Sequence, residues 1–341
     1  MFAKSKVRLV AATLALPILF LAGCGGGGNG LITNPTATPN GTATPTATAT
    51  ATPANVVLAK VIGLTNTNSL VRFNTQTSGT TTLIPISGLS AGEVLLGIDY
   101  RFAPAGMGTG LYGVSRVAGR NFQIYRLDIS SNNTANAVRI GSGFTAENVT
   151  GVGFDFNPNV INATTGVRGD AIRLVSSTGV NFRVNADTGA IIDTSTAIAG
   201  QQNDGTLAFV SGDANQNNTP RVVGAGYTNN DTDAATGTTL YVIDAATNSL
   251  ATQGRAASGS NAAVSPNTGQ LFTVGSLGTS VGDENDTGFD IAPGNNTAFA
   301  SFTSGTTTQL YTIDLGTGRA TLVGTVGASG STVLTDLAIV P

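Results

Sequence analysis

The chain has 341 residues, 16 basic and 19 acidic, giving a formal net charge of −3, with neither histidine nor tryptophan. The absence of histidine excludes a Ser-His-Asp triad, an imidazole base and histidine metal ligands, and the single cysteine, Cys24, excludes an intrachain disulfide or a cysteine zinc cluster. Any catalysis would have to run on Asp, Glu, Tyr, Arg or a bound metal, because the only lysines are Lys4, Lys6 and Lys60 and nothing marks out Lys60.

The first element in chain order is an address. In MFAKSKVRLVAATLALPILFLAGC, Lys4, Lys6 and Arg8 form a positive start. Leu9 to Leu21 form an apolar run too short for a comfortable membrane span. The run closes on Leu21-Ala22-Gly23-Cys24, which resembles the lipobox of bacterial lipoproteins. Residues 1–23 are therefore expected to be a lipoprotein signal peptide. Cys24 is expected to be the lipidated first residue of the mature chain and its link to a membrane. Gly25 after the cysteine fits export to the outer membrane in that class. Losing three basic residues with the leader leaves 13 against 19 acidic, a net of −6. No basic stripe marks a nucleic-acid surface. The expected partners are the membrane and a glycan, protein or small ligand, with the chain monomeric.

Residues 25–54 are uncharged and rich in Gly, then in Thr-Pro. Such a segment buries too little surface to fold, and its prolines favour extended conformations. Residues 24–54 read as a lipidated cysteine followed by a stalk.

From residue 55 to 341 the sequence reads as short strands and tight turns. One phrase occurs five times: LVRFNTQTSG (70–79), IYRLDISSN (124–132), NFRVNADTG (181–189), LYVIDAATN (240–248) and LYTIDLGTG (310–318). Apolar alternation predicts a half-buried strand. The Asp or Asn that follows (Asn74, Asp128, Asn185, Asp244, Asp314) can bond a backbone amide two residues on, which predicts a turn rather than a catalyst.

A second phrase appears as GIDYRFAP (97–104), GFDFNP (153–158), GYTNN (226–230), GFDIAP (288–293) and DLAIVP (336–341). The last copy lacks a following hairpin phrase, and the first hairpin phrase lacks a preceding GFD-like one. Joining the chain ends completes the missing unit. This predicts an all-β propeller of five blades, closed by pairing of the N- and C-terminal strands. The run 260–281 is read as an enlarged outer hairpin; counted as a blade of its own it would give six.

LVRFN, GIDYRFAP, GFDFNP, IRLVSSTGVNFRVNADTGA, GYTNN, LYVIDAATNSL and LYTIDLGTGRATLVGTVG together resemble the uncharacterised bacterial family called domain of unknown function 4394. The resemblance covers nearly all of 56–341 and implies an exported propeller-like domain, with no activity attached. The missing proline in GYTNN and the Asn- and Gln-rich stretch 200–222 depart from the family pattern at the third-to-fourth blade junction.

If the GFD-like phrases are innermost strands, Asp99, Asp155 and Asp290 converge near the axis, with Thr228 and Ala338 in the corresponding places of the other two blades. Three carboxylates there could bind a cation, hold a polyol or serve glycoside cleavage. The same residues could equally do no more than satisfy backbone amides at strand ends. Asn157, Arg173, Asn181 and Arg183 complete the candidate ligand set, the arginines as partners of those aspartates or of an anion, with a structural ion pair as the other reading for them. Calcium is the one cofactor considered, with none required. Its candidate loops are Asp213, Asn215 and Asn217, or Asp283, Glu284 and Asp286. The expected function is an envelope-anchored, non-enzymatic binding or scaffold module. The alternative is a polysaccharide hydrolase or lyase using Asp99, Asp155 and Asp290.

Overall fold

A computed structural model describes residues 57–102, 109–119, 121–195, 197–231, 233, 235–282, 284–328 and 332–341. The expected signal peptide, Cys24, the stalk and Asp283 lie outside the described residues.

The described chain is a succession of antiparallel meanders. It opens with β1 (Lys60–Thr65), β2 (Ser69–Asn74) and β3 (Thr82–Ser87). A second group follows: β4 (Val94–Arg101), β5 (Gly110–Ala118), β6 (Asn121–Ile129) and β7 (Ala135–Thr145). The third is β8 (Val152–Asn157), β9 (Ala171–Ser176) and β10 (Asn181–Asn185). After the two-residue strand β11 (Ala208–Phe209) comes a fourth group, β12 (Val222–Tyr227), β13 (Leu240–Asp244), β14 (Ser249–Gln253) and β15 (Gln270–Ser276). The fifth is β16 (Thr287–Ile291), β17 (Ala298–Ser304), β18 (Thr307–Ile313) and β19 (Ala320–Thr325), and the chain ends on β20 (Leu334–Ile339).

β20 does not extend the fifth group. It pairs antiparallel with β1, setting Ile62 opposite Ala338 and Leu64 opposite Asp336, and so becomes the inner strand of the first group. The inner strands β4, β8, β12, β16 and β20 then contact one another in that cyclic order, with β20 returning to β4. A ring of radially arranged meanders closed by its two terminal strands is a β-propeller, as the orphaned DLAIVP phrase predicts.

Core packing follows the same cycle. Among the described residues, one apolar cluster joins the first and second groups through Ile62, Leu70, Ile98 and Tyr125. Another joins the second and third through Val114, Phe122, Phe154 and Phe182. Val175, Phe209, Val222 and Tyr227 join the third and fourth; Ile243, Leu250, Phe289 and Phe302 join the fourth and fifth. The last cluster, including Val61, Phe73, Phe299 and Leu337, seals the fifth against the first. Each sheet is therefore apolar on both faces, which is why strands such as AIRLVS and VVGAGY are buried along their whole length.

The recurring turn chemistry is realised in three of the five copies. Asn185 Oδ1 accepts the Asp187 and Thr188 amides, Asp314 Oδ1 accepts those of Gly316 and Thr317, and Asp244 Oδ2 accepts both the amide and the hydroxyl of Thr247. In the others, Asp128 pairs with Arg126, and Asn74 makes no side-chain cap bond.

One copy is displaced. LVRFN, IYRLD, NFRVN and LYTID lie on β2, β6, β10 and β18, each the third strand outward, whereas LYVID is β13, the second strand of its group. This shift lengthens the interval from Asp244 to Asp314. The run 260–281 supplies β15, the outer strand of the same group, after a loop carrying the Arg255–Val264 and Ser258–Asn261 bridges. β11 adds to β15 in parallel, and β3 meets β7 in parallel over two residues, fusing the first two groups into one eight-stranded sheet.

Candidate functional site

The inner strands carry a two-layer pattern. One layer holds Gly97, Gly153, Gly224, Gly288 and Asp336; two residues later stands the layer Asp99, Asp155, Gly226, Asp290 and Ala338. Glycine is required at the first-layer positions of β4, β8, β12 and β16 because neighbouring inner strands touch there. A Cβ on Gly153 would lie 2.8 Å from the Ala225 nitrogen and the Gly224 carbonyl carbon, and one on Gly288 would lie 2.6 Å from the Leu337 nitrogen.

The aspartates of the second layer fasten each strand to the next. Asp99 Oδ1 accepts its own strand's Tyr100 amide, and Oδ2 accepts Phe156 N on β8 at 2.9 Å. Asp290 repeats the arrangement with Ile291 N and, on β20, Ile339 N. On β20 the order of acid and small residue is exchanged: Asp336 takes the glycine register and accepts Leu337 N and, on β4, Ile98 N at 2.8 Å. Asp155 leans on the Tyr227 amide of β12. The same register makes Gly226 the counterpart of Asp155. Thr228, expected in that place, is two residues too far along, and its hydroxyl bonds the backbone of Thr239. The misplacement has a simple cause: Gly224 and Gly226 are spaced by two, so either alignment keeps the strand alternation.

Asp99, Asp155 and Asp290 are brought together. One oxygen of each lies within 4.8 Å of the others, and the residues are 2%, 2% and 5% exposed. Burial pushes all three carboxyls up, Asp290 to about 7, and the Asp290 charge adds to the rise at Asp99 while Asp99 and Asp290 add to it at Asp155. Asp336 is likewise raised well above the ordinary carboxylate range by burial, against the pull of the Ile98 amide. Sequence reasoning passed over this fourth acid because DLAIVP was matched through Ala338.

The arginines go elsewhere. Arg173, 1% exposed, donates to Asp204, Asn181 and Asn267, each at 2.7 Å, and reaches the Tyr227 hydroxyl at 3.5 Å. Arg183 forms a bidentate pair with the same Asp204, at 2.8 and 2.9 Å. Asn181 also accepts from Gln253 and donates to the Gly205 carbonyl. This network welds the third group to the fourth. Arg173 and Asn181 are thus spent inside the protein, a correction to their place in the ligand set, and neither arginine meets the inner aspartates. Asp204 was missed, although it is the only acid between Asp193 and Asp213. Asn157 Oδ1 caps the turn after β8 by accepting Asn159 N.

The proposed calcium loops are occupied by internal bonds. Asp213 accepts the Thr273 amide and hydroxyl and the Asn215 amide, while Asn215 donates to the same hydroxyl, pinning the loop to β15; Asn217 is exposed. In the second loop Glu284 pairs with Arg221, and Asp286 is also engaged.

Open space lies off the axis, where the inner strands end. A cleft of about 720 Å³ between the second and third groups is lined by Arg101, Tyr112, Arg126, Asp128, Asn162 and Asp187, among others. Arg126 and Asp128 form an exposed bidentate pair at 2.7 and 2.9 Å. At the base, buried Arg101 contacts Asp187, holding that carboxyl below its ordinary range, and Asn162 donates to Asp187 at 2.9 Å. A second cleft, of about 630 Å³, lies between the first and second groups beside Lys60, Arg72 and Tyr100.

The family model described as Domain of unknown function (DUF4394) matches residues 69–338. No curated protein sequence matches the chain. Among solved structures, similarity extends to a Lactobacillus plantarum protein at 15% identity and a TM-score of 0.33, over 80% of this chain and 67% of that one. The Malassezia sympodialis allergen Mala s 1 aligns at 12% identity and a TM-score of 0.36, over 78% and 74%. The Myceliophteria thermophila Cps50 (Swd1) β-propeller domain aligns at 12% and 0.27, over 82% and 89%. Values this low lend nothing to an argument about substrate or reaction.

Proposed function

The chain belongs to the family described as Domain of unknown function (DUF4394), and from that premise we propose a five-bladed, lipid-anchored propeller of the bacterial envelope that binds a polar ligand of the glycan class and performs no chemistry of its own. The observation that carries this reading is the cleft between the second and third groups. It offers paired cations and carboxylates, an amide and a tyrosine around an open volume of about 720 Å³. Such a surface suits a neutral polyhydroxyl compound, whose hydroxyls both donate and accept.

A hydrolase needs an acid or base within reach of the bond it breaks. Asp99 and Asp290 instead have both oxygens bonded to backbone amides, and Asp155 shares their burial. The aspartates on the axis serve the ring rather than a substrate. Support for the anchor comes from the Leu21-Ala22-Gly23-Cys24 box and the stalk that follows.

The test is a screen of the full purified chain against polysaccharides and oligosaccharides, reading capture and product release together. Capture without release is the expected result. Release of shortened glycan, abolished by Asp155→Asn in a folded protein, would overturn the reading.

A further inference from the structure

We propose that Asp99, Asp155 and Asp290 hold a hard divalent cation of calcium size on the propeller axis, joining β4, β8 and β16 from the inside.

Geometry supports this first. Three oxygens no more than 4.8 Å apart share a point no farther than about 2.8 Å (4.8 Å divided by √3) from each. Calcium–oxygen bonds of ~2.3–2.6 Å need only a small inward movement from there, whereas magnesium at ~2.0–2.1 Å needs a larger one. The second observation is independent of that spacing. Asp155 Oδ1 is buried, and no hydrogen-bond donor among the described residues reaches it, although its carboxylate faces both Asp99 and Asp290. Every other oxygen of the trio has a backbone amide: Tyr100 and Phe156 on Asp99, Ile291 and Ile339 on Asp290, and Tyr227 beside Asp155. A buried carboxylate oxygen without a donor is costly, and a cation is the partner that removes the cost.

The charge balance agrees. The charged groups acting on the trio are the three themselves and Asp336, all acidic. Among the described residues no arginine or lysine supplies the counter-charge, since Arg173 and Arg183 belong to Asp204. The two remaining inner strands place Gly226 and Ala338 in this layer, leaving the fourth and fifth directions free of bulk. The amides fix the aspartate oxygens before the ion arrives, so the site is preorganised.

The experiment uses the full chain, with three readings. Elemental analysis of the protein purified without chelator should find about one calcium per chain. After chelator treatment, calcium chloride at about pH 8 should raise the melting temperature by about 5 °C or more, and magnesium chloride by less. Asp155→Asn should abolish the calcium shift while melting above the metal-free wild type, because it removes a buried charge; Asp290→Asn should also abolish it if Asp155→Asn fails to fold. Asp314→Asn, on an exposed turn, should keep the full shift. No bound metal together with no calcium-dependent shift would overturn the proposal, as would an undiminished shift in Asp155→Asn or Asp290→Asn.

Discussion

Asp336 Oδ2 accepts the Ile98 amide at 2.8 Å across 238 residues of sequence, tying the last strand of the chain to the second group of the ring. The same carboxylate's other oxygen holds the Leu337 amide, so one side chain serves two inner strands. Asp336→Ala strands the buried Ile98 amide and should lower stability by about 2–3 kcal/mol in urea denaturation. Asp336→Asn keeps an acceptor and should cost clearly less.

Glycine in the first inner layer is a steric demand. A methyl group on Gly153 would stand 2.8 Å from backbone atoms of Ala225 and Gly224, and backbone cannot swing aside as a side chain can. Gly153→Ala should therefore destabilise the domain by about 3 kcal/mol or more, at the top of the range for overpacked cores. Gly79→Ala, where a Cβ would meet nothing within 4 Å, should change the melting temperature little.

The buried Arg173–Asp204 pair and the exposed Arg126–Asp128 pair look alike as contacts but should differ in energy. Asp204→Ala leaves Arg173, 1% exposed, without its carboxylate and should cost about 3–5 kcal/mol. Asp128→Ala releases an arginine that water can solvate and should cost no more than about 1 kcal/mol. Denaturation midpoints of the two variants at constant slope decide the matter.

In chelator, stability should fall as pH rises through neutrality. The folded-state pKa of Asp290 is raised to about 7, above an unfolded value of ~3.9. Its contribution is full below ~4 and lost as pH climbs through about 7. The acids around it, Asp99, Asp155 and Asp336, are shifted the same way. Asp204 and Asp213, held low by their partners, act in the opposite sense at acid pH. The difference between Asp290→Asn and wild type isolates the first effect. The variant should gain on wild type as pH rises from about 4 through about 7, by on the order of 4 kcal/mol at most. A flat difference would contradict the assignment.

The ring was legible in the sequence because its grammar is local. Alternation in LYTID and the turn chemistry of Asp314 or Asn185 act over a few residues, and the unmatched DLAIVP phrase announced the closure. Register across neighbouring strands is not local. Nothing in GAGYTNN says whether Gly224 or Gly226 stands opposite Gly153, so Thr228 was placed two residues out. Asp336 was hidden by the same limit, because an acid in a glycine register breaks the pattern that defines the repeat. The Arg173 network and the cleft around Arg101 and Arg126 depend on loops from adjacent groups meeting in space. The Arg173–Asp204 partnership spans 31 residues and ends in the loop between β10 and β11, where no strand pattern places Asp204.

Comparing where two substitutions affect glycan capture tests the central claim most directly. Arg126→Ala lies in the open cleft, and Asp290→Asn lies on the closed axis. With both proteins folded, ligand affinity should fall at least tenfold in Arg126→Ala, a loss of about 1.4 kcal/mol, and stay at the wild-type value in Asp290→Asn. Affinity lost in Asp290→Asn and retained in Arg126→Ala would place the ligand on the axis and contradict the account.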